Sequence, residues 1–187
     1  MTVSRSPCRG STTDDEVVLV DRGDAAIGVA SKLEAHRRGQ LHRAVSVVLF
    51  DDSGRLLLQR RAEGKYHSAG LWSNTCCGHP RPGESVGDAA RRRLGDELGI
   101  EGCGLTRVAD FLYFAELEGG LVEHELDHVL IGRWNGAATP DPGEVAETRW
   151  IDRDVLFEEL VRAPDRYTAW TRRVVDHACR HDRLASA

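Results

Sequence analysis

Short apolar runs separated by polar and glycine-rich breaks predict strands mixed with helices along this chain. EVVLV (16–20) reads as a short strand. AVSVVLF (44–50) and RLLLQRR (55–61) flank DDSG, a turn-forming cluster, and together predict a hairpin. Residues 62–83 are rich in Gly, Pro and Ser and are expected to form an ordered loop. From Glu84 to Leu98, ESVGDAARRRLGDEL places Val86, Ala90, Leu94 and Leu98 on one helical stripe, with Gly99 as the expected stop. Further strands are expected at 105–115, 122–134 and 147–151, and helices near 154–162 and 165–181. Strands outnumber helices and mix with them, so the expected class is α+β in a single domain, without internal repeats or a linker.

Composition narrows the function classes. With 187 residues, 41% hydrophobic and 29% charged, the chain can bury one sizeable core. A formal net charge of −5 provides no bulk basic field, so the chain is not expected to bind nucleic acid. No apolar run approaches the roughly 18 residues of a membrane span. The opening MTVSRSPCRGSTT has Arg but no apolar stretch; residues 1–15 are expected to be a disordered tail and 16–187 the folded domain. Five cysteines without regular spacing fit a reducing, cytoplasmic location better than a disulfide framework.

Chemistry concentrates in NTCCGHPRPGES (74–85) and the helix after it. Two adjacent cysteines do not readily form a structural disulfide, and His79 follows Cys77 too closely for a zinc knuckle. Counting onward gives Gly78, five residues, Glu84, seven residues, Arg92, then Arg93-Leu94-Gly95-Asp96-Glu97-Leu98-Gly99-Ile100. Over these 23 positions the chain resembles the Nudix box, GX5EX7REUXEEXGU with U aliphatic, a loop–helix–loop for metal-bound diphosphates. Arg93 and Asp96 stand where a hydrolytic box has glutamates. Such boxes gather carboxylates around ions that activate water, whereas an arginine supplies a phosphate-binding cation. Water activation should suffer while diphosphate binding survives. An alternative for Arg93 and Glu97, four apart on one face, is a surface ion pair. Arg91 and Arg92 read as solvated.

Outside the box, Glu123 and Glu125 are two apart on a strand-like segment, so both carboxylates point to one side. His36, His42 and His79 add imidazoles, and such a set suits Mn²⁺, Mg²⁺ or Zn²⁺. His67, His124, His128, His177 and His181 lack a motif partner and read as surface or hydrogen-bonded histidines.

Taken together, G-x3-K-x3-H (Gly28, Lys32, His36), Leu41-His42, RR-x3-K (Arg60, Arg61, Lys65), GLWSNTCCGHPRPGES (70–85), EHE (123–125) and YTAW (167–170) resemble the type 1 isopentenyl-diphosphate isomerases, enzymes of the Nudix fold. The resemblance runs from about Glu16 to His177. It implies a mixed β-sheet flanked by helices and a small diphosphate substrate. It implies that His36, His42, His79, Glu123 and Glu125 bind one divalent ion, and that Cys77 and Glu125 face each other across the substrate. A second ion, Mg²⁺, would be held by Glu97 and bridge the diphosphate, with Lys32, Arg61, Lys65 and Arg93 completing the phosphate site. Trp170 would face a carbocation, the alternative being core packing on one helical face with Val174, and Tyr113 would hydrogen-bond Glu125 and relay a proton, or else sit as a half-buried sheet tyrosine. Cys76 is expected to be a structural neighbour only. In KYHSAG (65–70), Ser68 and Ala69 stand where relatives commonly carry an aromatic, which leaves Tyr66 or His67 for that role.

The chemistry is consistent with these residues. Moving a double bond by protonating an unactivated alkene needs an acid on one side and a base on the other. Reference pKa values near 8.5 for Cys and 4.3 for Glu favour Glu125 as acid and Cys77 as thiolate base, an order that burial and metal ligation can reverse. A Nudix pyrophosphohydrolase and a catalytically silent Nudix-like binding module are the competing readings. The chain is expected to act as a monomer or weak homodimer, without nucleic-acid or membrane partners.

Overall fold

The computed structural model describes residues 16–185; the expected tail at 1–15 lies outside the described residues. In chain order the elements are β1 (Glu16–Val20), β2 (Ala26–Ser31), α1 (Lys32–Arg38), β3 (His42–Phe50), β4 (Leu56–Arg61), β5 (Trp72–Ser73), β6 (Cys76–Gly78), α2 (Val86–Leu98), β7 (Leu105–Glu116), β8 (Val122–Arg133), β9 (Val145–Ile151), α3 (Arg153–Arg162) and α4 (Thr171–Ala185). The fold is the expected mixed α+β arrangement, with a nine-stranded sheet among the described residues.

β3 organises the sheet. It is buried on both faces, which its unbroken apolar run from Ala44 to Phe50, interrupted only by Ser46, makes favourable. Along one edge β8 runs parallel to it from His42↔Glu125 to Phe50↔Arg133. The other edge is shared by three strands in turn: β1 at His42, β6 from Val45 to Val47, and β4 at Phe50. β7 extends the sheet beyond β8, and β9 pairs with β4. The predicted hairpin is present, but β3 and β4 share a single register pair before β6 takes over the β3 edge.

Alternation along β3 splits the core into two layers. Val45, Val47 and Leu49 pack against α2 through Ala89, Ala90, Leu94 and Leu98. Val48 and Phe50, with Val129 of β8, pack on the opposite face against Leu156, Leu160, Val174 and Val175 of α3 and α4. On that second face, toward the start of β3, apolar residues give way to His42 and Ser46. On β8, Glu125 lies opposite His42 and Asp127 opposite Ala44, and Glu123 continues the same alternation one step before the pairing begins. A site of polar groups thus opens where one core layer ends.

α2 begins two residues later than the pattern predicts. Ser85 caps it by accepting from the Asp88 amide at 3.1 Å, and Gly99 closes it at φ 61°. α4 starts at Thr171 rather than 165 because Pro164–Arg166 forms a 3-10 turn and 167–170 leads into the helix. The expected loop at 62–83 contains β5 and β6, which complete the edges of β4 and β3. β2 and α1 are unpredicted: β2 is almost wholly exposed and α1 spans seven residues. Leu94 is fully buried between α2 and the sheet. Leu94→Ala is therefore expected to lower unfolding stability by about 3 kcal/mol, read from the urea midpoint.

Candidate active site

Five predicted ligands converge at the end of the sheet. His42 opens β3 and lies directly across from Glu125 on β8. His36 comes from α1, and His79 follows β6. His36 Nε2 lies 3.4 Å from Glu123 Oε2, while Glu125 Oε1 meets His79 Nε2 at 3.0 Å and His42 Nε2 at 3.7 Å. One ligand atom from each of the five falls within 4.8 Å of all the others. The tautomers suit a cation. His36 Nδ1 sits 2.6 Å from the Lys32 carbonyl and His42 Nδ1 2.8 Å from the Gln40 carbonyl. A carbonyl only accepts, so both Nδ1 atoms carry a proton, which leaves each Nε2 as the atom that can ligate an ion. His36 Nε2, His42 Nε2 and Glu123 Oε2 are buried without a hydrogen-bond partner. Orphaned buried acceptors facing one point are the environment a divalent ion satisfies, so the residues fit one.

β6 explains the two cysteines. Cys76 and Cys77 alternate across the sheet, so Cys76 enters the α2 core layer and Cys77 faces the site. Cys77 Sγ donates to Asn74 Oδ1 at 3.1 Å and lies 3.6 Å from Ser46 Oγ, which itself donates to Asp127 Oδ2 at 2.8 Å. Asn74 is oriented by its own Nδ2, which donates to the Val47 and Cys76 carbonyls at 3.0 and 2.9 Å. Its oxygen is therefore the atom left to face the thiol. Burial, then the nearby Asp127 carboxyl, push the Cys77 thiol up to about 12. For Glu125, burial opposes ionisation, but the His42 imidazole 3.7 Å away and the neighbouring Glu123 side chain hold the carboxyl below its usual value. These shifts widen the gap that reference values give between the two groups, and at neutral pH the resting forms are a Cys77 thiol and a Glu125 carboxylate.

Cys77, Glu125 and Trp170 all line one cleft of about 480 Å³. Trp170 Nε1 donates to Ser73 Oγ at 3.1 Å, which fixes the indole as a wall. Tyr113 is the register partner of Glu125, yet its buried hydroxyl has no hydrogen-bond partner, so the expected bond to Glu125 is not formed.

Four cations share this cleft. Lys32, Arg61, Lys65 and Arg93 line it. Burial lowers the Lys32 ammonium pKa; Glu123 opposes this, and Lys65, Arg93 and Arg61 deepen the depression. Such mutual repulsion between partly buried cations is what a polyanionic ligand relieves. Arg61 donates to the Ser68 and His67 carbonyls, both at 3.1 Å, and stands 5.5 Å over the Trp170 ring. Arg93 runs under Gly78, where an added Cβ would meet its Cγ at 2.8 Å, so the first box position requires glycine. Glu97 is 3% exposed, hydrogen-bonds Arg93 and accepts from Gln59 Nε2 at 2.9 Å. Arg93–Glu97 is thus a buried pair, not a surface one, and Glu97 stands apart from the five-ligand group. Arg92 is not solvated as expected: it bonds both oxygens of Glu84 at 2.8 Å and the His79 carbonyl at 3.2 Å. Arg91 is exposed beside Asp88.

Several site residues escape the sequence reading. His67 is buried, with Nε2 3.3 Å from Glu123 Oε1, and burial takes its imidazole down to about 4, so it is neutral. No spacing marks it. Asp127 was legible, since it continues the period of two set by Glu123 and Glu125. Of the other histidines, His128 lies 3.3 Å from Asp24, His124 Nδ1 donates to the Gly39 carbonyl, and His177 stacks on Phe111.

Known proteins share this design. The NUDIX domain family matches residues 40–176. An isopentenyl-diphosphate Delta-isomerase of Burkholderia multivorans is 49% identical over 165 residues, covering 88% of this chain and 93% of its own. One from Nocardia farcinica is 50% identical over 164 residues, covering 87% and 93%. Among solved structures, DR0079 from Deinococcus radiodurans superposes with a TM-score of 0.73 at 19% identity, over 86% of this chain and 97% of its own, a likeness of fold. With its Nudix fold and near-half identity across most of its length, the chain belongs to the isopentenyl-diphosphate Delta-isomerase family of Nudix proteins.

Proposed function

We propose that the chain interconverts isopentenyl and dimethylallyl diphosphate, moving the double bond by protonation and deprotonation through a tertiary carbocation. The observation that carries this reading is a thiol, Cys77, and an ionised carboxylate, Glu125, lining one cleft with four cations. The names of its relatives agree.

Lys32, Arg61, Lys65 and Arg93 hold the diphosphate, placing the alkene between Cys77 and Glu125. The Cys77 thiol gives its proton to the terminal alkene carbon, whose π pair forms the new C–H bond and leaves a tertiary cation. Glu125 removes a proton from the carbon on the other side, and that C–H pair becomes the new double bond. The resulting thiolate and carboxylic acid are the starting states for the reverse direction, and exchange with solvent restores the resting pair. Trp170 faces the cation; an indole face is worth about 1–2 kcal/mol to a desolvated charge. Arg61 releases that face when it turns to the diphosphate.

His36, His42, His79, Glu123 and Glu125 would hold Mn²⁺, Mg²⁺ or Zn²⁺, and Glu97 would hold a Mg²⁺ that accompanies the diphosphate. Bound there, such ions supply positive charge that fixes Glu125 and neutralises the phosphates. Hydrolysis is the weaker reading, because Glu84 is engaged by Arg92 and none of Glu84, Asp96 and Glu97 joins the five-ligand group. One chain supplies every proposed side chain, so a monomer or weak homodimer suffices. Among the described residues Cys76, Cys77 and Cys103 are free thiols, in keeping with a cytoplasmic site of action, and no helix is long and apolar enough to cross a membrane. Incubation with isopentenyl diphosphate and Mg²⁺ is expected to yield an acid-labile allylic diphosphate. Release of inorganic phosphate or pyrophosphate without that product would overturn the reading.

A further inference from the structure

One buried imidazole in the cleft has no role in the proton transfers. His67 lies in the loop between β4 and β5, is 4% exposed, and places Nε2 3.3 Å from Glu123 Oε1. The other oxygen of the same carboxyl, Oε2, lies 3.4 Å from His36 Nε2 and has no hydrogen-bond partner. Glu123 thus stands between two imidazoles that meet it in opposite senses. His36 spends its Nδ1 proton on the Lys32 carbonyl, which leaves Nε2 able to ligate an ion. A carboxylate only accepts, so the proton in the His67 contact sits on Nε2. The Nδ1 of His67 lies 3.3 Å from Ser68 Oγ, a hydroxyl that can donate to it. A nitrogen that carries its proton toward Glu123 does not ligate an ion, and His67 stands outside the five-ligand group.

The loop holds this ring in place. Arg61 donates to the His67 and Ser68 carbonyls, both at 3.1 Å. The Ser68 amide donates to Glu118 Oε1 at 2.7 Å, which ties the loop to the β7–β8 connection. Ser68 sits at φ 50°, a left-handed conformation that a serine keeps only when its surroundings impose it. Tyr66 and Trp170 meet the imidazole in T-shaped contacts, with centroids 4.4 and 6.0 Å away. We propose that His67 is a positioning residue for the metal site: its Nε2–H holds Glu123 Oε1, so that Glu123 offers the ion one oxygen, Oε2, in a fixed orientation. The inference rests on the metal reading of His36, His42, His79, Glu123 and Glu125. A ligand carboxylate without such an outer partner is free to turn, and losing the partner typically weakens metal binding by about 10–100-fold.

The test is titration of the metal-free full chain with Mn²⁺, read from the EPR signal of the free ion, and with Zn²⁺ in competition with a chromogenic chelator, both without phosphates. His67→Phe keeps an aromatic ring in the loop and removes the donor. It is expected to weaken the ion that the wild type holds by about 10–100-fold. His67→Gln approximates the Nε2–H donor with its side-chain amide and is expected to stay within about threefold of the wild type. The melting temperature of each metal-free variant is measured in parallel. A His67 that matters only for packing would move that temperature and leave the metal affinity of His67→Phe as in the wild type. Such an unchanged affinity overturns the inference alone, and so does a loss in His67→Gln as large as that in His67→Phe. If the wild type binds neither ion, the metal reading falls and the inference with it.

Discussion

Cys77→Ala loses allylic isomerisation by about 10³-fold or more, with folding intact; positioned proton transfer typically contributes 10²–10⁴-fold. The loss is large because the proposed mechanism makes this thiol the proton donor, and burial and Asp127 hold it in its neutral form. The fold survives because Cys77 sits at the partly buried edge formed by β6, and the truncation removes one small atom from it. Asn74 stays anchored through the Val47 and Cys76 carbonyls without the thiol. Cys77→Ser separates chemistry from packing. It keeps a hydrogen-bonding group between Asn74 and Ser46, yet a hydroxyl holds its proton far more tightly than a thiol, so activity stays at least ~10²-fold down. Circular dichroism and the urea midpoint should match the wild type in both variants. Near-normal turnover in either one removes Cys77 from the mechanism.

Stripping the metal is the second large effect. With the ion gone, Glu123 and Glu125 share a buried pocket with three imidazoles and several orphaned acceptors, an arrangement costly to keep dry. Chelation is therefore expected to suppress turnover by at least ~10²-fold and to lower the melting temperature, because an ion bound only by the folded state stabilises it by mass action. Adding Mn²⁺, Mg²⁺ or Zn²⁺ back should restore both. Glu123→Gln and His36→Ala each remove a ligand without touching Cys77 or Glu125, and should purify with less metal by elemental analysis. The pH dependence has a defined sign. A protonated imidazole has no lone pair to offer, so metal retention falls as pH drops below the histidine range. Full metal content in both ligand variants would show that the ion, if present, sits elsewhere.

Much of this site was legible in the residues because its elements are local. Gly78, Glu84, Arg92 and Gly99 keep one spacing on a loop and helix. Glu123 and Glu125 share a strand face by simple alternation, and the β3–β4 hairpin is announced by its turn. What was hidden depends on contacts between distant segments. β2 has no buried face to pattern, and α1 is too short to show a stripe, though it delivers His36. β6 lies within a Gly- and Pro-rich stretch, and only its pairing with β3 explains why adjacent cysteines part company. His67 enters the cleft from a loop, where no period applies. Arg92 looked solvated because its partner, Glu84, lies before the helix rather than on it. The width of the pKa gap escaped for the same reason: reference values describe isolated groups, whereas burial and Asp127 push the Cys77 thiol up across the sheet.

The central claim is that protons from the protein, in exchange with water, move the double bond while the diphosphate stays intact. Following isopentenyl diphosphate by NMR with the metal-loaded enzyme in D₂O tests it most directly. The predicted result is dimethylallyl diphosphate whose newly formed methyl group carries deuterium, with both phosphorus signals of the diphosphate retained. An allylic product free of deuterium, or cleavage to a monophosphate, would contradict it.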